Sequence, residues 1–242
     1  MAVFWVIISF SDGANRNKIY YGNFFCKKRF HSFAPEMDIL NKILGASVEL
    51  FGQYGFKTIT MDDIARRAGI SKKTLYQHFA NKDEVVKESV LWHKSQMFGQ
   101  CQLLMDEAET AVEAMVKIMT IIDENLCRIN PIALLELQRY YPEGYAEFRD
   151  GLLKQDVESV KENLLKGIAE GYYREEMDVD ILAKFHIEKS LILLQPNMMV
   201  NDRNDIRQVN REIMELFLYG IMTPKGEKLY QKYKEKYLKQ VS

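Results

Sequence analysis

The sequence predicts an all-α protein of about nine helices. Apolar residues recur at intervals of three and four positions through most of the chain after Pro35, and the alternation typical of a β-strand is scarce there. Capping residues, glycines and prolines divide this periodic stretch into separate helices. With 242 residues, the chain is long enough for one or two domains with a substantial apolar core.

The first helix is predicted from Asp38 to Gly55. Ile39, Ile43 and Leu50 are among the apolar residues that recur along one face, and Gly55 ends the helix. We expect this helix to support the two short helices that follow, because three helices are the smallest unit that buries both. The expected core of this unit comprises Phe51, Phe56, Ile59, Ile64, Ile70, Leu75 and Phe79.

Two short helices joined by a tight turn are predicted between Thr60 and Phe79. Thr60 is a favourable N-cap, and Asp63 three residues later completes a capping box. Gly69 ends the first helix in the left-handed conformation, and Ser71 caps the second. The second helix exposes Lys72, Lys73, Thr74, Tyr76, Gln77 and His78. This pattern is typical of a helix-turn-helix whose second helix can enter a DNA major groove.

The charge pattern favours nucleic-acid binding by a local basic face. The whole chain has a net charge of −1, so it is not a polycation. Between Lys57 and Lys82, however, six lysines and arginines stand against two aspartates, which is the local excess that a phosphate backbone requires. Short capped helix pairs also occur in all-α proteins that bind no DNA, so spacing and composition alone leave both interpretations open.

The flanking residues add a family resemblance. The run from Leu50 to Val85, LFGQYGFKTITMDDIARRAGISKKTLYQHFANKDEV, resembles the DNA-binding domain of the tetracycline-repressor (TetR) family of bacterial regulators, and the resemblance extends from Asp38 to Leu91. The matching positions are Phe51, Tyr54-Gly55-Phe56, Thr58, Thr60, Ile64-Ala65, Ala68-Gly69-Ile70-Ser71, Thr74-Leu75-Tyr76, His78-Phe79 and Lys82. The resemblance implies a DNA-binding transcriptional regulator, most often a ligand-responsive repressor, with a helical ligand-binding and dimerisation domain after the helix-turn-helix.

The DNA contacts are expected on the second motif helix. Lys72, Lys73 and Gln77 are the candidates for base contacts, with Thr74 as an addition, since lysine can reach guanine O6 and N7 and glutamine can pair with adenine. The resemblance implies phosphate contacts for Thr60, Thr74, Tyr76, His78 and Lys82. The alternative for each residue is a solvated surface side chain, and this alternative is strongest for Lys73.

The remaining helices are predicted from capping residues and breaks. Asn81 and Glu84 form a capping box for a long helix that ends near Ala108, and the resemblance implies that this helix connects the two domains. The helices that follow are expected at Thr110–Arg128, Ile132–Tyr141, Tyr145–Gly171, Asp178–Gln195 and Ile206–Met222, with a surface helix within the tail Lys225–Ser242. The resulting domains are 36–96 for DNA binding, with the motif at 60–79, 97–223 for regulation and dimerisation, and a lysine-rich tail at 224–242.

The resemblance also implies a dimer seam and a ligand pocket. The seam would lie on the last two helices of the regulatory domain and contain Leu182, Phe185, Leu191, Leu194, Ile213, Leu216, Phe217 and Ile221. The pocket candidates are Trp92, Phe98, Met115, Met119, Tyr140, Tyr141, Phe148 and His186. Ordinary intrachain core is the alternative for both sets. An apolar or amphipathic small molecule is the expected effector.

Residues 1–35 do not share the helical pattern. We expect either that translation begins at Met37 or that this segment is a loosely attached arm, and a third alternative is that Lys27, Lys28 and Arg29 contact DNA. The apolar run Val3–Phe10 is far shorter than the ~20 residues that span a bilayer, and it lacks the flanks of a secretory signal.

The sequence offers no catalytic or metal-binding pattern. Cys26, Cys101 and Cys127 lack metal-ligand spacing and are expected to be free thiols in a reducing compartment, and no nucleophile or phosphate-loop motif appears. We therefore expect a cytoplasmic protein that is not an enzyme, uses no cofactor or metal, and binds a double-stranded DNA operator, a second copy of itself and a small effector, but no membrane. The alternatives are a regulator controlled by a protein partner and a helical enzyme or adaptor that does not bind DNA.

Overall fold

A computed structural model describes residues 34–126, 131–193 and 206–237. Within these ranges the protein contains eleven α-helices and one π-helical turn and no β-strand, which confirms the predicted all-α class. The helices are α1 (Ala34–Tyr54), α2 (Met61–Ala68), α3 (Lys72–His78), α4 (Lys82–Asp106), α5 (Ala111–Leu126), α6 (Pro131–Tyr140), α7 (Pro142–Gly151), α8 (Val157–Ala169), α9 (Val179–Leu193), α10 (Ile206–Ile221) and α11 (Pro224–Tyr237).

Helices α1 to α3 form the small unit that the sequence predicts. Helix α1 packs on α2 and also on α4. Helix α4 leads into the rest of the chain, α5 to α11, which we call the helical body. The expected core residues of this unit are buried, apart from Ile70, which is half-buried. Phe51 and Phe56 stack with their ring centroids 4.8 Å apart. This aromatic pair fixes the loop that leads from α1 into α2.

The helix predicted from Tyr145 to Gly171 begins earlier and is not uniform. Its first residue is Pro142, which suits the first helical position because its missing N–H needs no partner there. A π-helical turn at Leu152–Asp156 then joins α7 to α8. The helix ends at Ala169, before Gly171, whose φ of 71° lies in the left-handed region.

The C-terminal segment is part of the core rather than a surface addition. Helix α11 packs against α5, and its residues Tyr230 and Tyr233 are buried. The hydroxyl of Tyr237 donates to the carboxylate of Glu113 at 2.6 Å. The sequence predicts a surface helix here from the lysines and from the aromatic and leucine residues at helical spacing. The tyrosines among them provide the apolar face that packs inward.

Several predictions lie outside the described residues. They concern the segment 1–33, with Cys26 in it, as well as Cys127 and Leu194 and the polar turn at 201–205. Among the helices that are described, none has the length and apolar character needed to cross a bilayer. The same ranges hold no group of histidine, cysteine and carboxylate side chains suited to a metal ion.

Candidate nucleic-acid interface and effector cavity

The start of α2 is fixed by the predicted capping box. The hydroxyl of Thr60 accepts a hydrogen bond from the N–H of Asp63 at 3.2 Å, and the Asp63 carboxylate accepts from the N–H of Thr60 at 3.0 Å and from its hydroxyl at 2.6 Å. These hydrogen bonds from Thr60 lower the pKa of the Asp63 carboxyl. The Thr60 hydroxyl can therefore donate a hydrogen bond to a phosphate only if it gives up its hydrogen bond to the Asp63 carboxylate.

The turn between α2 and α3 has the conformation that only glycine adopts without strain. Gly69 has a φ of 68°, and the N–H of Ile70 donates to the carbonyl of Ala65 at 3.0 Å. Ser71 then caps α3 by accepting from the N–H of Thr74 at 3.0 Å. The two caps and the glycine set the angle at which α3 leaves the domain.

Helix α3 separates its buried face from its exposed face as predicted. Leu75, and Phe79 at the helix end, are buried in the domain core. Tyr76 is 46 % exposed, Lys73 and Gln77 are exposed, and His78 is half-buried. The exposed side chains lie on one surface that consists of basic, amide and aromatic groups, which is the composition that DNA phosphates and base edges require.

Two basic residues of the motif have carboxylate partners. Nζ of Lys72 lies 2.7 Å from the carboxylate of Asp62, and this hydrogen bond raises the pKa of Lys72. Arg67 pairs with Glu49 on α1. Because exposed ion pairs of this kind contribute little to stability, a phosphate group can compete with the carboxylates at small cost.

Lys82 has a structural contact in addition to its predicted phosphate contact. Its ammonium donates to the backbone carbonyls of Phe56 and Lys57, and burial lowers its pKa. The side chain therefore links the first turn of α4 to the loop between α1 and α2.

A residue of the helical body contacts the same loop, and sequence patterns did not reveal it. The carboxylate of Glu136 on α6 accepts a hydrogen bond from the N–H of Lys57 at 3.0 Å. The ring of Tyr141 lies 5.8 Å from that of Phe56. Gly55 makes room for this contact, since its φ is 81° and a Cβ there would lie 2.6 Å from Oε2 of Glu136. Helix α6 is thus connected directly to the DNA-binding domain.

An apolar cavity lies between α4, α5 and α8, with a volume of about 20 Å³. Of the predicted pocket residues, Phe98 and Met115 line this cavity. The full lining comprises Phe98, Cys101, Met105, Met115, Ile118, Asp156, Ser159, Val160 and Asn163.

The structure places other predicted pocket residues elsewhere. Met119 is buried in the core, and Tyr140 is 46 % exposed at the surface. The Trp92 indole donates to Asn41 on α1 at 3.0 Å, and Phe148 lines a smaller cavity beside α1. His186 is buried against Phe217 of α10, with the ring centroids 4.4 Å apart. Tyr141 packs on the DNA-binding domain, as described above. Helical periodicity identified these residues as inward-facing or aromatic, but it carries no information on which cavity each one meets.

The predicted seam residues divide into buried and exposed ones. Leu191, Phe217 and Ile221 are buried within the chain, whereas Phe185 is 54 % and Leu216 is 75 % exposed. Leu182 and Ile213 are half-buried. Two apolar residues that we did not predict, Ile181 and Tyr219, are also exposed on the same two helices. The exposed apolar face of α9 and α10 thus consists of Ile181, Phe185, Leu216 and Tyr219.

A three-helix domain with an exposed recognition helix, joined by a long helix to a helical body, defines a helix-turn-helix DNA-binding protein. Residues 43–89 match the family model of the N-terminal domain of bacterial regulatory proteins, tetR family. The DNA-binding domain of this chain is therefore of the type found in the tetR family of bacterial regulatory proteins.

Relatives with recorded roles are transcription regulators. The chain is 24 % identical over 194 residues to the HTH-type transcriptional repressor KstR2 of Mycolicibacterium smegmatis, which covers 78 % of this chain and 93 % of the relative. It is 25 % identical over 194 residues to the fatty acid metabolism regulator protein of Bacillus subtilis, covering 74 % of this chain and 94 % of the relative.

Solved structures share the fold. The fatty acid degradation regulator FadR from Bacillus halodurans superposes with a TM-score of 0.59 at 20 % identity, covering 74 % of this chain and 97 % of that chain. FadR from Bacillus subtilis in complex with stearoyl-CoA superposes with a TM-score of 0.56 at 20 % identity, covering 75 % of this chain and 99 % of that chain.

Proposed function

We propose that the protein is a homodimeric transcriptional repressor that binds a near-palindromic operator and leaves it when a small effector enters the helical body. The observation that carries this proposal is the recognition helix α3, which is capped at Ser71 and presents Lys73, Tyr76 and Gln77 on its exposed face. The protein acts in the cytoplasm and has no catalytic role.

The exposed residues of the motif divide into two kinds of contact. Lys72, Lys73 and Gln77, with Thr74 beside them, contact base edges in the major groove and provide sequence discrimination. Thr60, Thr74, Tyr76, His78 and Lys82 contact phosphates and position the domain. Because several contacts are to phosphates, the affinity for the operator falls steeply as salt increases.

A dimer follows from the small number of bases that one recognition helix reaches. The exposed apolar face of α9 and α10 supports pairing with a second copy, since large apolar side chains on a shared face are typical of protein interfaces. Two-fold symmetry then requires half-sites separated by about 34 Å or a multiple of it.

Regulation works through the two connections between the body and the DNA-binding domain. One is α4, which continues from the domain into the wall of the cavity. The other is the Glu136 hydrogen bond to the loop before α2. An effector that prefers a second arrangement of these helices changes the spacing of the recognition helices and lowers operator affinity.

The test is selection of bound sequences from a random DNA pool at low salt. Wild type and Lys232→Ala, an exposed change on α11, are expected to yield the same palindromic consensus, and Tyr76→Ala is expected to lose it. Selection is repeated with protein refolded from denaturant, which removes a co-purified effector. A refolded wild type that enriches no sequence, or a Tyr76→Ala variant that keeps the consensus, contradicts the proposal.

A further inference from the structure

One polar side chain that lines the apolar cavity has an oxygen that accepts no hydrogen bond from the described residues. Asp156, the last residue of the π turn, lines the cavity and is 7 % exposed. Its Oδ2 lies 3.3 Å from Nζ of Lys94, yet among the described residues no group donates a hydrogen bond to it. A buried carboxylate oxygen without a donor costs free energy, and each such group in a folded protein calls for an explanation.

The other polar side chains of the cavity wall are already engaged. The Asn163 amide donates to a backbone carbonyl of α5 at 3.0 Å and accepts from the hydroxyl of Tyr173 at 3.3 Å. The hydroxyl of Ser159 donates to Gln102 at 3.3 Å. Among these polar side chains of the cavity wall, Asp156 is therefore the one with an oxygen that accepts no hydrogen bond.

Lys94 forms a neutral ion pair with the Asp156 carboxylate. Its side chain is buried, and its ammonium donates to Gln155 at 2.5 Å beside the ion pair with Asp156. Gly151 permits this path, since a Cβ there would lie 2.8 Å from Cε of Lys94. Burial also raises the pKa of the Cys101 thiol to about 11, so the cavity wall carries one neutral ion pair and no further charge from this cysteine.

A neutral ion pair selects among ligand head groups. A carboxylate would approach the unsatisfied oxygen of Asp156 and be repelled, and an ammonium would leave one uncompensated charge in an apolar site. An uncharged hydroxyl supplies the missing donor and adds no charge. The remaining wall is apolar and consists of Phe98, Cys101, Met105, Met115, Ile118 and Val160.

The cavity must widen to accept more than a water-sized group, because its volume is about 20 Å³. Two wall residues, Met105 and Met115, are unbranched and repack easily. The π turn that ends at Asp156 is a local irregularity of the kind found at functional sites in helices. A ligand that separates α4 from α8 therefore acts on the helix that leads to the DNA-binding domain.

We propose that the effector is an uncharged apolar molecule with a hydroxyl group, bound with its apolar part between α4, α5 and α8 and with its hydroxyl donating to Oδ2 of Asp156. This inference rests on the proposed function, because it names the chemistry of the effector that the repressor senses.

The test compares three probes of nearly equal size by thermal unfolding and by calorimetry: 1-octanol, its isomer 1-methoxyheptane, and octanoate. The ether keeps the apolar surface and the oxygen but lacks the donor. We expect 1-octanol to raise the melting temperature and to bind at least about tenfold more tightly than the ether, since a hydrogen bond to a charged group has this strength. Octanoate is expected to bind most weakly.

A double variant locates the effect. Lys94→Met/Asp156→Leu replaces the pair with apolar side chains, a change that folded proteins tolerate, and it is expected to bind 1-octanol and 1-methoxyheptane equally. The control is Lys87→Met/Glu147→Leu, which removes an exposed pair, 2.6 Å apart, between α4 and α7. This control is expected to keep the preference for 1-octanol.

Three outcomes with wild type overturn the inference: equal affinity for the alcohol and the ether, tightest binding of octanoate, or no binding of any probe. The last outcome would mean that the cavity holds water only. A Lys94→Met/Asp156→Leu variant that still prefers 1-octanol also overturns it. DNA selection on the same preparations separates this inference from the proposed function. Loss of DNA selection alone contradicts the proposed regulator function. The probe affinities alone decide whether the cavity binds an uncharged molecule with a hydroxyl group.

Discussion

The DNA-binding domain and the helical body place their charged side chains differently. In α1 to α3 the ion pairs lie at the surface, as between Lys72 and Asp62. Among the described residues, every buried charged side chain lies in or after α4, including Lys94, Asp156 and Lys189. Surface pairs can exchange a carboxylate for a phosphate at little cost, whereas buried charges depend on their partners. The DNA-binding domain can thus exchange its surface ion pairs for contacts with DNA. The helical body, in contrast, responds when the ionic partner of one of its buried charges changes.

The largest effect is expected for removal of one member of the buried pair. Lys94→Ala leaves Asp156 as an uncompensated buried charge, and we expect a loss of about 3–5 kcal/mol in the free energy of unfolding. Lys87→Ala, which breaks an exposed pair between α4 and α7, is expected to change stability little. Chemical unfolding of both variants measures the difference. Equal losses would mean that burial does not distinguish the two pairs.

The second prediction concerns Lys189 on α9. Its Nζ lies 3.0 Å from Sδ of Met214 and 5.0 Å from the ring centroid of Phe217, neither of which is an anion. Burial lowers its pKa to about 7. In the unfolded chain a lysine keeps its proton up to about pH 10.4, so between pH 7 and 10 the unfolded state binds more protons. Stability therefore rises with pH in this window, by up to about 1.4 kcal/mol per pH unit.

Unfolding at pH 7 and pH 9 tests this dependence. Lys189→Met keeps the apolar contacts and removes the titrating group. Between pH 7 and pH 9 its free energy of unfolding is expected to rise by about 2 kcal/mol less than that of wild type. Lys184→Met changes an exposed lysine on the same helix and should follow wild type. The buried neighbour His186 has its pKa lowered well below the usual value by desolvation, so it stays neutral throughout this window. Identical curves for wild type and Lys189→Met would disprove the assignment.

The two regions also differ in how far the sequence determines them. In the DNA-binding domain the predicted caps at Thr60 and Ser71 and the glycine turn at Gly69 appear at the expected positions. These features are local, because each joins residues within a few positions of one another. The inward and outward faces of α3 follow from helical periodicity for the same reason.

In the body the decisive contacts join residues far apart in the sequence. Asp156 meets Lys94 across 62 positions in the chain, and Glu136 meets Lys57 across 79. No local pattern marks such pairs. Most of the predicted pocket residues are buried or half-buried, but they do not surround one cavity. The π turn at Leu152–Asp156 was likewise missed, since the periodicity of a helix with one extra residue differs little from that of a regular helix.

The exposed apolar face provides a third test, directed at assembly. Leu216→Glu places a charge at a side chain that is 75 % exposed in the single chain, and we expect it to weaken dimerisation by about 2 kcal/mol or more without altering the stability of the monomer. Leu165→Glu, at an exposed position on α8, is the control. Sedimentation equilibrium measures both. A dimer that is insensitive to Leu216→Glu would show that another surface pairs the subunits.

A modest loss of stability is expected at the connection between the two regions. Gly55→Ala places a side chain at a φ of 81° and at 2.6 Å from the carboxylate of Glu136, and we expect a loss of about 1–2 kcal/mol. Gly99→Ala, in the exposed middle of α4 with nothing near its Cβ position, is expected to be neutral or to stabilise the protein by up to about 1 kcal/mol.

Gly55→Ala is also expected to change the response of operator binding to the effector. If the Glu136 hydrogen bond to Lys57 carries the signal from the body, Gly55→Ala displaces it and reduces effector-induced release more than it reduces operator affinity in the absence of effector. Operator titrations with and without 1-octanol separate the two quantities. An unchanged ratio of the two operator affinities in Gly55→Ala would assign the coupling to α4 alone, because α4 is the other described connection between the cavity and the recognition helix.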